Sequence, residues 1–197
     1  NVSAITLRDK YKSTNNGPIV QTPKAYVEGV KFLNEWEDKS IPSEWGPDHI
    51  LVLDSGSSMG VAAMEWAKGM NPGAKDPRQW YFTAQQSFMN MIQLLTSETF
   101  NTHVIVISHV NWKEMQDGTT KGWANAIGSA LGPQLGRYFN CILLADKAGQ
   151  GKNVRRVIRT VQTDTIDLIT PAPFKIDGEL PLDTGLATIF SKLTEVK

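Results

Sequence analysis

The sequence predicts an α/β fold with a mainly parallel sheet, flanking helices and a β-hairpin near the C-terminus. Two short apolar runs, His49–Leu53 and Val104–Ile107, have the length and composition of strands that are covered on both faces. Between them, Gln79–Thr96 carries apolar residues at helical spacing, which is the pattern of a crossover helix. Strand, helix and strand in this order are typical of a parallel sheet.

Other elements are predicted from local signals. Val2–Leu7 is apolar enough for a short strand, and Thr22 followed by Pro23 predicts the start of a helix that runs to about Trp36. The polar segment Asn111–Gly122 has no apolar periodicity and is expected to form a mobile loop. Downstream, the pattern predicts a short helix at 131–138, a hairpin of strands 141–145 and 154–163, and a closing helix near 186–193.

Length and composition predict a single compact domain that spans residues 1–197. Hydrophobic residues make up 41% of the chain, and no linker is long enough to divide it. Lys plus Arg and Asp plus Glu each count 20, so any surface for nucleic acid has to be local. The sequence has neither a run of about 18 apolar residues nor a signal-peptide pattern, which predicts a cytoplasmic protein without a membrane partner.

The segment Asp54–Gly60 directly follows the first apolar strand and is rich in serine and glycine. Ligands in open α/β sheets bind at the carboxyl ends of the strands, where Asp54 would lie. A carboxylate in that position can hold the Mg²⁺ of a bound nucleotide. The simplest alternative is that Asp54 caps the next helix and that the small residues only form a turn.

Two other chemistries fit the same residues. The spacing of Gly56, Ser58 and Gly60 is that of a nucleophile elbow, which would make Ser58 the nucleophile of a serine hydrolase. That fold expects its acid and then its histidine after the serine, and the last histidine here is His109. Asp54, Ser57 and Ser58 also resemble the metal-dependent adhesion motif of von Willebrand A domains, although Gly56 occupies the position of one ligand.

From about residue 2 to its end, the chain resembles the phage RecA-like recombination and annealing ATPases. The resemblance rests on Asp54-Ser55 after the first strand, on Ile107-Ser108-His109 after the second, and on the segments 131–140, 154–161 and 170–174. It implies that Asp54 and Ser55 form the Walker B position for ATP and Mg²⁺, and that His109 senses the terminal phosphate. The alternative for His109 is a polar residue that merely ends a strand.

The resemblance further implies a DNA-dependent ATPase that assembles as a homo-oligomer on single-stranded DNA. The family's phosphate-binding loop, Gly-x-x-x-x-Gly-Lys-Ser/Thr, does not occur in the sequence, and Gly149-Gln150-Gly151-Lys152 lacks its hydroxyl residue. In the family, this loop and the water-activating acid precede the strand that Val2–Leu7 matches. We therefore expect both upstream of Asn1, and we expect the chain alone not to hydrolyse ATP. The alternative is a degenerate relative that is retained for binding.

Arg155 and Arg159 lie four residues apart on a predicted strand and therefore share a face. In RecA-like filaments, basic residues near this strand can reach the nucleotide of the next subunit, where a guanidinium stabilises charge on the transferring phosphoryl group. The resemblance thus implies a catalytic role for one of the two arginines. A solvated strand face is the alternative.

Two segments combine cations with tryptophans, a composition that suits single-stranded DNA because indoles stack on bases while lysines neutralise phosphates. The segment that follows His109 is the stronger candidate, since it comes directly after the sensor position. Its candidate residues are Trp112, Lys113, Lys121 and Trp123. The weaker candidate is Trp66–Trp80, which contains Lys68, Lys75 and Arg78.

Overall fold

The computed structural model describes residues 2–194 and has a mixed α/β architecture. These residues form two compact units. The first unit comprises the chain up to His109 together with Ala124–Gln134, and the second comprises Val110–Trp123 and the chain from Leu135 onward. None of the helices within residues 2–194 has the length and hydropathy that crossing a lipid bilayer requires.

The first unit is built on a parallel strand pair and two long helices. Its elements are β1 (Lys10–Thr14), β2 (Gly17–Thr22), α1 (Ala25–Asn34), a 3₁₀ turn (Pro42–Glu44), β3 (Ile50–Asp54), α2 (Gly56–Met70), α3 (Arg78–Leu95) and β4 (His103–Ile107). Strands β3 and β4 pair in parallel, from Ile50 opposite His103 to Asp54 opposite Ile107. The predicted order of strand, crossover helix and strand is therefore confirmed.

Helix α3 packs through the stripe that its periodicity predicts. The buried members of this stripe are Ala84, Phe88, Met91, Ile92 and Leu95. Tyr81, which the same pattern places on the stripe, is 47% exposed because it lies in the first turn of the helix, before the buried stretch begins. The crossover helix thus forms the core of the first unit over most of its length.

The prediction that β3 is covered on both faces is wrong. Leu51 is buried, whereas its neighbours Ile50 and Val52 are 47% and 51% exposed. An apolar run indicates that a strand can be buried, but burial depends on which elements pack on each face. A mainly parallel sheet is likewise not found within residues 2–194, where β3 and β4 form a two-stranded sheet. The β1–β2 sheet and the sheet formed by 144–148, 155–159 and 179–181 are antiparallel.

The start of α1 also differs from the sequence prediction. Val2–Leu7 is not a strand, and Thr22 ends β2 and does not cap the helix. The cap comes from Asp9, whose Oδ1 accepts the backbone N–H groups of Lys24 at 2.7 Å and Ala25 at 2.8 Å. A carboxylate far away in sequence therefore satisfies the unpaired donors that Thr22 was expected to satisfy.

The second unit contains the predicted C-terminal hairpin. Its elements are β5 (Val110–Glu114), most of β6 (Thr120–Ala124), β7 (Leu144–Ala148), β8 (Arg155–Arg159), β9 (Glu179–Pro181) and α5 (Leu182–Thr194). Helix α4 (Gly128–Leu135) belongs to the first unit except for its last residue. Strands β7 and β8 pair antiparallel, which confirms the hairpin, and β9 adds a third strand that the sequence did not predict. The core of this unit consists of Ile158, Ala172, Ile176, Leu180 and Ile189.

The expected mobile loop at Asn111–Gly122 is wrong, because most of it forms the paired strands β5 and β6. Asp117 and Gly118 make the turn: Asp117 Oδ1 accepts the backbone N–H of Thr119 at 3.0 Å, and Gly118 has a φ of 80°. An Asp-Gly pair is a strong local hairpin signal. The lack of apolar periodicity in the flanking residues concealed that signal.

Candidate functional site

The carboxyl edge of the β3–β4 pair brings the main candidate residues together. Asp54 is exposed and lies in register with Ile107, so Ser108 and His109 continue the chain at the same edge. The Asp54–Ser55 peptide bond is cis. Ser55 then caps α2, since its Oγ accepts the backbone N–H of Ser58 at 3.1 Å. The helix is therefore capped by Ser55, and the Asp54 carboxylate remains exposed at the strand end.

A buried hydroxyl fixes the backbone beside this edge. Ser57 is 8% exposed, and its Oγ accepts the backbone N–H of His109 at 3.0 Å and donates to the carbonyl of Asn125 at 3.1 Å. The Ser108 hydroxyl lies 2.9 Å from Ser57 Oγ and also donates to the Asn125 carbonyl, at 3.1 Å. The N–H of Asn125 in turn donates to the carbonyl of His109 at 2.7 Å. We call these four residues the Ser57 network.

The glycines around Ser57 allow close packing. A Cβ added at Gly56 would lie 2.9 Å from Val106 Cγ1, and one at Gly60 would lie 3.2 Å from Ile127 Cγ1. A side chain at Gly56 would therefore force Val106 to shift, and one at Gly60 would need Ile127 to move by a few tenths of an ångström. The Gly-x-Ser-x-Gly spacing at residues 56–60 is explained by this packing.

The contacts of Ser57 and Ser58 also bear on the adhesion-type metal site and on the serine hydrolase. In an adhesion-type metal site, Ser57 would have to direct its hydroxyl at the cation beside Asp54, but this hydroxyl is buried and bonded within the Ser57 network. Ser58 lies in the first turn of α2, and its hydroxyl accepts a hydrogen bond from Ser55 Oγ at 3.0 Å. Among residues 2–194, no group of three or more His, Cys, Asp and Glu side chains is arranged to hold a metal ion.

The four candidate DNA-binding residues divide between two faces of the β5–β6 hairpin. The Trp112 ring lies against Gly122, where an added Cβ would be 2.7 Å from Trp112 Cζ3, and Met115 N–H donates to the Thr119 carbonyl at 2.7 Å. Both contacts fit one antiparallel register, the only arrangement that so short a connection allows.

In that register Lys113 lies opposite Lys121, on the face away from Trp112. Trp123, two residues after Lys121, shares the lysine face. Lys113 is exposed, while Lys121 and Trp123 are half-buried. We call these three residues the lysine face of the hairpin.

Arg155 and Arg159 both reach the carboxylate of Glu179, so they share a face of β8. Arg159 also donates to Asp146 Oδ2 at 2.8 Å. This hydrogen bond, together with the backbone N–H of Lys147, holds the pKa of the Asp146 carboxyl below its usual range. Arg155 has a side chain that is 66% exposed, which makes it the more accessible of the two arginines.

The weaker DNA candidate, Trp66–Trp80, is largely occupied by internal contacts. The Trp66 ring packs 5.3 Å from the ring of Tyr26, and Trp80 Nε1 donates to the Asn71 carbonyl at 2.7 Å. Two of its cations are paired, Lys68 with Glu65 and Arg78 with Asp76. Two of the three cations of this segment are thus in ion pairs, and both of these tryptophans have internal partners.

Sequence reasoning missed two residues of the candidate sites, Asn125 and Gly122. Asn125 acts through its backbone N–H and C=O groups, which no side-chain pattern reveals. Gly122 makes room for Trp112, and the signal that could have found it is a tryptophan facing a glycine across a predicted hairpin. No family model, no curated protein and no solved structure matches this chain.

Proposed function

We propose that this chain is the core of a RecA-like, nucleotide-dependent protein that binds single-stranded DNA as a homo-oligomer in phage recombination or annealing. The observation that carries the proposal is the position of Asp54 and His109 at one edge of the parallel pair. Ligands of open α/β sheets bind at this edge. An exposed carboxylate there can hold the Mg²⁺ of ATP through water.

In this proposal His109 couples the nucleotide to DNA. Its backbone N–H is bound by Ser57 and its carbonyl by Asn125, so its position is fixed from both sides. The next residue, Val110, begins β5 of the hairpin that carries the lysine face. A shift of the backbone at residue 109 on phosphate binding would therefore be passed directly along the chain to β5.

The lysine face supplies the contacts to DNA. Like charges directly opposite each other on a hairpin repel, so an anion between Lys113 and Lys121 stabilises the pair. Trp123 on the same face can stack on a base, and stacking is tolerant of sequence because every base has a π face. One face thus combines a phosphate contact with a stacking contact, as proteins that bind single strands without sequence preference do.

Of the parts of an ATP site, the described residues provide only the carboxylate for Mg²⁺, which is Asp54. The phosphate loop that would hold the triphosphate does not occur in the sequence, so we expect nucleotide affinity to be weak for this chain alone. When bound, Mg²⁺ would supply the positive charge that the Asp54 carboxylate holds, and ATP would supply the negatively charged terminal phosphate that His109 senses. The exposed Arg155 is the residue that we expect to reach the nucleotide of a neighbouring copy.

Fluorescence anisotropy with a labelled oligo(dT) tests the DNA part of the proposal. We expect the double variant K113A/K121A to bind more weakly and to lose roughly 1.4 from the slope of log affinity against log salt, about 0.7 for each lost phosphate contact. The matched control is K10A/K12A, which removes two exposed lysines from the β1–β2 hairpin. Equal losses in both double variants would contradict the lysine face as the binding surface.

Magnesium-dependent binding of an ATP analogue tests the nucleotide part. It is measured on this chain and, where the coding sequence continues upstream of Asn1, on the extended chain, with and without oligo(dT). Asp54→Asn should abolish the effect of nucleotide on DNA affinity, whereas Asp48→Asn, an exposed aspartate before β3, should preserve it. Binding of Mg²⁺ without any binding of nucleotide would instead support an adhesion-type module.

A further inference from the structure

The second unit contains an open groove that the proposed function does not use. Its volume is about 410 Å³, within the range of roughly 300–1,000 Å³ that is usual for small-ligand pockets. It is lined by residues of β5, β7 and β8 and by residues of the segment 163–166. We propose that this groove, here called the Trp112 groove, binds a single nucleobase.

One residue that lines the groove, Trp112, has an aromatic ring that packs against the backbone of the hairpin. Trp112 is 50% exposed, and its ring lies against the backbone of Gly122 on the neighbouring strand. The indole is therefore supported on one face and accessible on the other. A base that stacks on it loses little side-chain entropy from the protein, which favours binding.

Other residues that line the groove offer fixed hydrogen-bonding groups. Arg159 is held by Asp146 at 2.8 Å and by Glu179 at 3.1 Å, so its guanidinium has a set direction. The Thr163 hydroxyl accepts the backbone N–H of Ile166 at 3.1 Å and lies 3.2 Å from the Thr165 hydroxyl. Hydroxyls and a carboxylate next to a guanidinium provide both donors and acceptors, as the edge of a base requires.

The charge balance of the groove favours a base over a phosphate. The positive charge of Arg159 is offset by two carboxylates, those of Asp146 and Glu179. Val110, Leu144 and a buried Ile166 add apolar surface to the lining. An anion would gain little in such surroundings, whereas a planar heterocycle would bury its faces against apolar and aromatic side chains.

The ligand chemistry is thus a nucleobase, whether it belongs to a single strand or to a free nucleotide. The first source rests on the proposed function, because a strand bound on the lysine face would bring its bases to the same hairpin. The second source does not depend on DNA binding. The experiment therefore has one arm for each source.

The probe in the first arm is an oligo(dT) with one central 2-aminopurine, and in the second arm free 2-aminopurine nucleoside monophosphate. Stacking on an indole should quench the probe in at least one arm. Trp112→Ala should remove the quenching and weaken binding in that arm by roughly 5- to 150-fold, the range expected for the loss of one stacked base. Thr165→Val, which leaves the ring in place, should weaken binding less.

The control is Lys113→Ala, on the other face of the same strand. It should weaken binding of the oligonucleotide but leave the quenching at saturation unchanged. If the oligonucleotide binds and Trp112→Ala, Trp112→Phe and Thr165→Val all leave both quenching and affinity unchanged, the groove proposal is overturned while the proposed function stands. If the oligonucleotide does not bind and the free nucleotide is quenched through Trp112, the proposed function fails and the groove proposal stands. Absence of quenching in both arms overturns the groove proposal.

Discussion

The carboxyl edge of β3–β4 and the β5–β6 hairpin arrange their polar groups by different means. At the edge, the buried hydroxyl of Ser57, the half-buried hydroxyl of Ser108 and backbone groups make neutral hydrogen bonds beside one exposed carboxylate. On the hairpin, an exposed lysine faces a half-buried one, and a tryptophan lies on glycine. Hydrogen bonds between neutral buried groups depend strongly on geometry and little on salt. Interactions of exposed charges depend strongly on salt and little on geometry. The edge is thus suited to hold a fixed geometry, and the hairpin to attract a charged ligand.

The largest expected effect on stability is at the centre of the Ser57 network. Ser57→Ala removes the two hydrogen bonds that Ser57 Oγ makes with His109 and Asn125, and at about 0.5–1.5 kcal/mol for each bond the loss is about 1–3 kcal/mol. We expect the free energy of unfolding to fall by this amount in urea denaturation, equally at low and high salt. Ser13→Ala is the control, because that side chain is exposed on β1, and it should change the free energy by less than about 0.5 kcal/mol. A strong salt dependence of the Ser57→Ala effect would contradict the distinction between the two regions.

A comparable effect is expected from crowding the approach of α2 to β4. Gly56→Ala places a Cβ 2.9 Å from Val106 Cγ1, and overpacking of this kind costs about 1–3 kcal/mol. The double variant Gly56→Ala with Val106→Ala should recover part of the loss, because it removes the atom that the new methyl group meets. The measurement is again urea denaturation. Failure of the double variant to recover any stability would show that the clash is not the cause.

The effect of alkali on the first unit should be confined to high pH. Burial raises the pKa of Tyr26 to about 12 from a usual value of 10.0. Because the folded state holds this proton more tightly than the unfolded state, its contribution to stability is complete below pH 10 and is lost as the pH rises toward 12. Tyr26→Phe should flatten the decline of stability in this window, as measured by thermal denaturation. An unchanged pH dependence in Tyr26→Phe would contradict the assignment.

The smallest effect is expected at the Trp112 groove in acid. The hydrogen bond from Arg159 lowers the pKa of Asp146, so the contribution of this carboxylate to stability is present above its unfolded pKa near 3.8 and is lost as the pH falls through the lower folded value. Because the pair is exposed, the change in the free energy of unfolding should stay below about 1 kcal/mol. Asp146→Asn should remove it, and high salt should weaken it. The neutral Ser57 network should show no such acid dependence.

The sequence revealed the elements that carry strong local signals and missed those that depend on distant partners. The parallel pair, helix α3 and the β7–β8 hairpin follow from apolar runs, periodicity and a glycine-rich turn. The cap of α1 could not be predicted because Asp9 lies beyond any local capping pattern. The exposure of Ile50 and Val52 could not be predicted either, since an apolar run does not state which elements will cover it.

The candidate site was predictable in part for the same reason. Asp54 and His109 follow apolar strands, and strand ends are recognisable in a sequence. The division of Trp112 from Lys113 and Lys121 requires the hairpin register, and the segment was expected to be a loop. The bonds of Asn125 are made by its backbone, which has the same groups in almost every residue.

The two hydrogen bonds accepted by Asp9 determine how well the β1–β2 hairpin tolerates changes of sequence and length. By joining Asp9 to Lys24 and Ala25, they close the chain at the base of the β1–β2 hairpin. The β1–β2 hairpin between these residues therefore has both of its ends held in place. We expect that the hairpin can be shortened to a tight turn, or replaced by a tag or a reporter, without disturbing α1.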